Sequence, residues 1–300
     1  MPENLWAALS NQLGEASTEV GKSVVAVHGR RHSSSGILWT NDSVVTANHA
    51  LRRDGDISVV IAPGQGAAAR VIGRDPGTDL AVLRLQQPAQ GEPARWGDAS
   101  KLRVGELVLA LARTWRGNIV ASSGVISGLM GRWRTWRGGE LDQFIRPDLT
   151  LYPGFSGGPL VNAHGEVVGL NTAGLHRSSI AVPASAVARV VAELLEKGRI
   201  ERPYLGLAMQ AVALPESLRT TLNLMANEGL LVVHVEPGSP ADKGGILLGD
   251  VLVEIEGKAV ADTDAVQETL HSLKVGQTVE IKLVRGGSLS KAGVKLAARP

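Results

Sequence analysis

Residues 23–51 read SVVAVHGRRHSSSGILWTNDSVVTANHAL and decide how the chain folds. Three short apolar runs, rich in Val, Ile and Leu, are separated by clusters of Gly, Ser, Asn and Asp. Runs of this length, bounded by turn residues, are typical of β-strands joined by tight turns. The same pattern continues to about residue 183 without helical periodicity between the runs. The sequence therefore predicts a mainly β domain, built as a barrel or a sandwich.

An amphipathic helix is predicted on each side of this strand-rich region. We interpret the first, residues 4–20, as a helix packed on its own domain, in preference to an oligomer contact. The second covers residues 184–197 and ends at Gly198. A short charged hinge follows at residues 198–203. The predicted divisions are an N-terminal helical segment, a β domain and a mixed α+β domain, at residues 1–20, 21–198 and 203–299.

Composition limits the chemistry of this chain of 300 residues. It has no Cys, which excludes disulfides, zinc–cysteine sites and a thiol nucleophile. No apolar run reaches the ~18–20 residues needed to span a bilayer. The first residues also lack the basic and apolar regions of a signal peptide. We therefore expect a cytoplasmic protein without a membrane span, or a periplasmic one if the native start is different.

Residues 153–160, PGFSGGPL, place Ser156 among glycines. A tight turn of this composition exposes the serine hydroxyl and lets neighbouring backbone N–H groups converge on one point. Because a serine is nucleophilic at neutral pH only beside a base, a histidine is required, and His49 at the end of an apolar run is the candidate. Asp79, just before another apolar run, is the candidate that orients the imidazole. The order His, Asp, Ser, each at the edge of a predicted strand, is that of chymotrypsin.

Five segments together resemble the HtrA (Deg) family of trypsin-like serine proteases: TANHAL, DPGTDLAVL, SSGVISGL, FIRPDLTLYPGFSGGPLVNAHGEVVGLNT and SIAVP. The resemblance covers about residues 20–197 and implies a chymotrypsin-like fold of two six-stranded β-barrels, with the active site in the cleft between them. It implies His49 as general base, Asp79 as its orienting partner and Ser156 as nucleophile. The backbone N–H groups of Gly154 and Ser156 are then expected to hold the oxyanion, with no metal or cofactor.

The resemblance also implies a substrate and an assembly. Leu151 and Ile180 match positions that line the S1 pocket, and both are aliphatic, so we expect small or medium aliphatic P1 residues. The expected function is endopeptidase cleavage of unfolded or damaged polypeptides through an acyl-enzyme. Members of the family commonly form trimers, and we expect a homotrimer.

The C-terminal domain, residues 203–299, resembles a bacterial PDZ domain. The matching segments are YLGL, VEPGSPAD, GDVL and GG, which begin at residues 204, 235, 249 and 286. Successive backbone N–H groups at Leu205, Gly206 and Leu207 are suited to bind the terminal carboxylate of a peptide. The peptide would extend along the sheet edge beside a helix that carries Val266 and Leu270, or these two residues are simply core. We expect Thr263 or Asp264 to cap that helix.

Two stretches depart from the family pattern. Phe155 precedes the nucleophile where the family commonly has Asn, and RTWRG at residues 113–117 replaces the usual Asn-Pro-Phe/Tyr-Gly turn. Phe155 keeps a second hypothesis open, a catalytically silent pseudoprotease that uses both domains to bind peptides.

Two further motifs point to other functions. Residues 154–158, GFSGG, fit the G-x-S-x-G elbow of α/β-hydrolases, but Pro159 and a Val-rich strand follow where that elbow needs a helix. RWRTWR at residues 132–137 interleaves Arg with Trp, as in surfaces that bind single-stranded nucleic acids. Since the net charge is only +2, we interpret this stretch as a solvated, mobile protease loop and expect no nucleic-acid partner. The other histidines show no metal-ligand spacing.

Overall fold

Two closed β-barrels of six strands each form the N-terminal part of the protein. The structure, a computed structural model, describes residues 4–29, 32–51, 57–135, 138–175 and 179–298. The chain separates into two compact units, Met1–Ile200 (unit 1) and Glu201–Pro300 (unit 2). The predicted fold class is confirmed in unit 1, which holds both barrels. The finer division at residues 1–20, 21–198 and 203–299 remains a prediction.

The first barrel is closed in the order β1-β2-β3-β6-β5-β4, and all its pairings are antiparallel. Its interior is filled with aliphatic side chains, as expected where aromatic residues make up only 3% of the chain. Its strands are β1 Val24–Gly29, β2 His32–Thr40, β3 Ser43–Ala47, β4 Ile57–Ala62, β5 Gln65–Asp75 and β6 Leu80–Leu85.

The second barrel is closed in the order β11-β14-β13-β12-β7-β8. The turn that carries Ser156 lies between β11 and β12, and the pairing of β12 with β13 shifts register between Leu160 and Val161. Its strands are β7 Leu107–Arg113, β8 Ile119–Met130, β11 Phe144–Asp148, β12 Pro159–Asn162, β13 Val167–Thr172 and β14 Ile180–Pro183.

A small hairpin, β9 Trp133–Arg134 and β10 Glu140–Leu141, contains most of the basic Trp-rich stretch. Arg132 forms an ion pair of 3.0 Å with Glu140, and the Trp133 ring packs edge-on against Phe144. The expectation of a solvated loop is therefore wrong for residues 133–135, which are half-buried or buried in the hairpin, whereas Arg132 is exposed, as expected. Trp136 and Arg137 lie outside the described residues.

Helix α1, Leu5–Gly21, begins after Asn4, whose side chain accepts from the Trp6 N–H. Only its C-terminal part is held by the barrels: Val20 and Gly21 are buried, whereas Leu5 and Trp6 are 79% and 78% exposed. Helix α2 covers Ala184–Lys197, as predicted from its apolar stripe, and contacts strands of both barrels, β5, β6 and β13. It ends at Gly198 in the left-handed conformation, with φ of +73°.

Unit 2 has a mixed α+β architecture. A sheet in the order β16-β17-β18-β20-β21 carries β19 as a branch on β18, and β15 pairs separately with β22. Helix α5 is capped by Asp262, whose carboxylate accepts from Ala265 N–H at 2.7 Å. The expected caps, Thr263 and Asp264, are wrong because both lie within the first turn. The helices are α3 Glu216–Leu222, α4 Pro240–Lys243 and α5 Thr263–His271, and the strands are β15 Pro203–Tyr204, β16 Leu207–Ala213, β17 Glu228–Val235, β18 Val251–Ile255, β19 Lys258–Ala259, β20 Thr278–Arg285, β21 Ser288–Lys295 and β22 Ala297–Ala298.

In the described part of the chain, no helix is both long and apolar enough to cross a lipid bilayer.

Candidate active site

His49 and Asp79 are joined by two hydrogen bonds. His49 lies in a single 3-10 turn directly after β3, and Asp79 lies in the turn before β6, the strand that pairs with β3. Nδ1 of His49 is 2.6 Å from Oδ2 of Asp79, and the His49 backbone N–H donates to Oδ1 at 2.8 Å. Asp79 is 1% exposed, so its carboxylate is held away from water. This arrangement places the proton on Nδ1 and leaves Nε2 of the imidazole as a base.

The turn that carries Asp79 is held by its own side chains and by the β9–β10 hairpin. Asp79 has a φ of +58°, a conformation that Asp and Asn adopt more readily than other side chains. The carboxylate of Asp75 accepts from Gly77 N–H at 2.9 Å and from the Thr78 hydroxyl at 2.7 Å. From the hairpin, the Thr135 hydroxyl donates to the Gly77 carbonyl at 2.7 Å.

Thr172 and Gly174 complete the surroundings of the His49–Asp79 pair, and no sequence pattern pointed to either residue. Thr172, the last residue of β13, donates its hydroxyl to Oδ2 of Asp79 and accepts from Gly174 N–H at 2.9 Å. A Cβ atom at position 174 would lie 2.5 Å from Nδ1 of His49 and 2.6 Å from Oδ2 of Asp79. The absence of a side chain at Gly174 is therefore what lets the chain pass over the pair.

The turn that carries Ser156 packs against the strand that leads to His49. The Ser156 carbonyl accepts from Ser35 N–H at 3.0 Å. A Cβ atom at Gly157 would lie 2.6 Å from the Thr46 hydroxyl and 2.9 Å from the Ala47 nitrogen, at the end of β3. The structure thus brings the serine turn and the histidine strand into contact. No hydrogen bond joins the Ser156 hydroxyl to His49 among the described residues, and such bonds are often long before substrate binds.

Of the two expected oxyanion donors, Gly154 lies within a type II turn and Ser156 directly follows that turn. Phe155 N–H donates to the Tyr152 carbonyl at 3.1 Å, Pro153 occupies the first central position, and Gly154 follows with a φ of +99°. This positive φ is the signature of type II, and it favours glycine. The N–H groups of Gly154 and Ser156 donate to no acceptor in the described part of the chain. Both donors are therefore available for an oxyanion.

In unit 2, the residues expected to bind a peptide lie at the edge of the sheet. Leu205 and Gly206 precede β16, the terminal strand of the sheet, and α5 contacts β16. Gly206 has a φ of +82°, and a Cβ atom there would lie 2.7 Å from the Ser239 hydroxyl. Val266 and Leu270 are 1% and 3% exposed and belong to the core of unit 2. The geometry fits strand addition along β16.

Comparison with known proteins gives a family. Residues 34–170 match the model of the trypsin-like peptidase domain, and residues 203–296 match that of the PDZ domain. The serine protease Do-like HtrA of Lactobacillus helveticus is 34% identical over 281 residues, which cover 87% of this chain and 68% of that protein. The chain belongs to the HtrA family of serine endopeptidases.

Other serine proteases are similar to this chain in sequence or in structure. The serine protease Do-like HtrA of Bacillus subtilis is 31% identical, with 88% of this chain and 63% of that protein covered. A probable periplasmic serine endoprotease DegP-like of Bartonella henselae is 33% identical, with 89% and 53% covered. The solved serine endoprotease from Yersinia pestis has a TM-score of 0.75 at 25% identity, with 97% of this chain and 98% of that chain covered. This chain thus spans between 53% and 68% of the lengths of these curated relatives.

Phe155, which departs from the HtrA pattern, is accommodated by the second barrel. It is 3% exposed and packs with Ala110 and Ala112 of β7, and its ring lies 5.9 Å from that of Tyr152. Small side chains on β7 thus leave room for a ring where the HtrA family commonly has Asn. The buried Phe155 ring therefore attaches the turn to the second barrel.

The two residues expected to line the S1 pocket lie in different apolar clusters. Leu151 is half-buried beside Phe155. Ile180 is 1% exposed, belongs to the main core of unit 1 and pairs with Thr172 across β13 and β14. Their role in binding P1 therefore remains a prediction.

No group of three or more His, Cys, Asp or Glu side chains in the described ranges is placed to hold a metal ion.

Proposed function

We propose that this chain cleaves peptide bonds with Ser156 as nucleophile, His49 as general base and Asp79 as the group that orients and stabilises the imidazole. The observation that supports this most directly is the hydrogen bond of 2.6 Å between Nδ1 of His49 and the buried carboxylate of Asp79. It lies beside the turn that carries Ser156. An imidazole held by a buried carboxylate is the arrangement that activates a serine hydroxyl.

The reaction proceeds in two halves. Ser156 Oγ attacks the scissile carbonyl carbon while Nε2 of His49 takes the hydroxyl proton, and the carbonyl oxygen becomes an oxyanion held by Gly154 and Ser156 N–H groups. His49 then gives its proton to the departing amine, which leaves an acyl-enzyme on Ser156. Water, deprotonated by His49, attacks the acyl carbon, and Ser156 recovers its proton when the acid product leaves.

The substrates proposed are unfolded or damaged polypeptides, with small or medium aliphatic residues at P1. The PDZ domain of unit 2 would recruit them, or sense C-terminal peptides, by adding a strand to β16. Relatives from Bartonella henselae and Rhizobium meliloti are named periplasmic, which favours the periplasm over the expected cytoplasm for this chain. A homotrimer remains our proposal for its assembly.

A fluorophosphonate serine probe and casein digestion test the proposal. We expect the wild-type chain to be labelled and to cleave casein, and both signals to be lost in Ser156→Ala and His49→Ala. If the folded wild-type chain is neither labelled nor active with C-terminal peptides present, the protease proposal fails. The pseudoprotease that only binds peptides then becomes the better account.

The peptide role of unit 2 is tested by a matched pair of glycine substitutions. Gly206 and Gly238 both have positive φ, but a Cβ atom at Gly206 would lie 2.2 Å from Ser239 Cβ, whereas at Gly238 no atom outside its two chain neighbours lies within 4 Å. Gly206→Ala is expected to weaken binding of a fluorescent C-terminal peptide at least about tenfold. Gly238→Ala is expected to leave the affinity nearly unchanged. Equal affinities for both variants would contradict carboxylate binding at Leu205–Leu207.

A further inference from the structure

Ser35 lies beneath the nucleophile turn and contacts it twice. It is on β2 in the first barrel and is fully buried. Its hydroxyl donates to the Gly154 carbonyl at 2.8 Å, and its backbone N–H donates to the Ser156 carbonyl at 3.0 Å. A residue of the first barrel thus holds the two residues of the second barrel that carry the expected oxyanion donors.

The direction of the Ser35 hydroxyl is fixed by a third hydrogen bond. The backbone N–H of Arg113, at the end of β7, donates to Ser35 Oγ at 3.0 Å. A hydroxyl has one hydrogen and two acceptor positions. Because the oxygen accepts from Arg113, its single hydrogen is free to point at the Gly154 carbonyl.

Arg113 is itself rigidly placed. It is 7% exposed, and burial lowers the pKa of its guanidinium from the usual range. The guanidinium donates to the carbonyls of Val24 and Gly21, each at 2.6 Å, and to that of Gly117. The donor that orients Ser35 is therefore tied to β1, to the end of α1 and to the hairpin between β7 and β8.

The hydrogen bond from Ser35 fixes the peptide group that follows the oxyanion donor. That peptide group joins Gly154 to Phe155, and its N–H is already held by the Tyr152 carbonyl at 3.1 Å. With its C=O held by Ser35, both ends of the peptide plane are restrained. Types I and II of a β-turn differ by rotation of the central peptide, here Pro153–Gly154. A fixed neighbouring plane resists the rotation that would turn the Gly154 N–H away.

We propose that Ser35 is a positioning residue for the oxyanion hole, which acts by holding the Gly154 carbonyl so that the Gly154 N–H keeps its type II orientation. The inference rests on the proposed function, because it assigns Ser35 a part in the same reaction. It does not place Ser35 in contact with substrate.

Ser35→Ala tests this in the full chain, with Ser34→Ala as matched control. Ser34 is buried at 4% on the same strand but on its opposite face, and no described residue bonds to its hydroxyl. In Ser35→Ala we expect kcat on a peptide substrate to fall about 10- to 100-fold because the donor is misplaced. KM should change by less than about twofold, since ground-state binding is untouched. A peptide boronate, whose tetrahedral oxygen occupies the oxyanion hole, should lose affinity by the same factor as kcat/KM.

Hydrogen exchange at the Phe155 amide separates this inference from the protease proposal. Ser35→Ala should speed that exchange whether or not the wild-type chain cleaves peptides, and Ser35→Thr, which restores the hydroxyl, should slow it again. Unchanged kcat and unchanged exchange in Ser35→Ala would overturn the inference. An equal loss of kcat in Ser34→Ala would also overturn it. If Ser35→Ala does not fold, Ser35→Cys, of similar size but a weak donor, carries the same measurements.

Discussion

Thr172 donates its hydroxyl hydrogen to Oδ2 of Asp79, the same oxygen that accepts from Nδ1 of His49. Oδ1 of the same carboxylate accepts from the His49 backbone N–H. The carboxylate is therefore held by donors on both oxygens. Thr172 is 93 residues away from Asp79 in the chain, in the other barrel.

Replacement of Thr172 by Val removes this donor while keeping the shape of the side chain. We expect kcat to fall about tenfold, equivalent to about 1.4 kcal/mol, because the imidazole is less well aligned. Steady-state kinetics on a peptide substrate measure this. Thr172→Ser keeps the hydroxyl and should retain most of the activity; equal rates for the Val and Ser variants would show that the hydroxyl has no role.

Gly174→Ala should separate His49 from Asp79. The new Cβ would approach both side chains to about the length of a hydrogen bond without making one, so the pair must move apart. We expect kcat to fall about 100-fold, as for a catalytic group displaced by about 1 Å. Gly131→Ala is the control, because no atom lies within 4 Å of a Cβ there. Full activity in Gly174→Ala would contradict this prediction, since it would show that His49 and Asp79 can move without a fall in kcat.

Phe155→Ala should destabilise unit 1. It leaves a cavity beside Ala110 and Ala112, and Phe to Ala changes in cores cost about 3–5 kcal/mol. Thermal unfolding followed by Trp fluorescence suits this test, since all six Trp residues precede residue 200. Phe155→Leu fills most of the space and should melt close to wild type. A wild-type melting temperature for Phe155→Ala would show that the ring is not an anchor.

Because of the ion pair between Asp250 and Arg285, the stability of unit 2 should fall at acid pH. Burial of Asp250 opposes its charge, but hydrogen bonds from Arg285 and from Leu247 N–H outweigh this and lower its pKa. The stabilisation of unit 2 by the charged Asp250 is therefore fully present above the ordinary aspartate pKa of about 3.9. It is lost as pH falls through the lowered pKa of Asp250. At neutral pH, Asp250→Asn should destabilise unit 2 by about 2 kcal/mol.

Hydrogen exchange of the β18 and β20 amides in the full chain measures this effect. The difference in exchange rate between wild type and Asp250→Asn should shrink as pH is lowered, because the carboxylate of the wild type becomes protonated whereas the side-chain amide of the variant does not titrate. Trp fluorescence, which reports only unit 1, should be the same in both proteins. If the difference in amide exchange rate between the two proteins stays constant down to pH values well below about 3.9, the acid sensitivity of unit 2 does not come from Asp250.

Much of the fold followed from local patterns in the sequence. The apolar runs predicted a mainly β domain, and the stripe on residues 184–197 predicted α2, because burial imposes these periods directly. The division into two six-stranded barrels was implied by the family resemblance. The hairpin at Trp133 was missed because aromatic and basic residues alternate there as they do on exposed loops. Its burial depends on Phe144, which no local pattern reveals.

The candidate site was only partly predictable for the same reason. His49, Asp79 and Ser156 stand in motifs, whereas Ser35, Thr172 and Gly174 act through contacts between distant segments. A threonine at the end of a strand, or a glycine after it, is common in any β protein. Only the closed barrels show that these positions meet the residues proposed to be catalytic.

The left-handed backbone conformation of Asp79 limits which substitutions at this position could abolish catalysis in descendants of this protein without disturbing the fold. Asn and Gly are the residues that adopt this φ most readily, and Asn keeps the size of the side chain while removing its negative charge. A lineage that abandoned proteolysis by one change here, and kept the fold, should therefore carry Asn or Gly far more often than Ala or Glu. With Asn, the backbone at position 79 would thus keep a side chain of similar size beside His49 even in a descendant without protease activity.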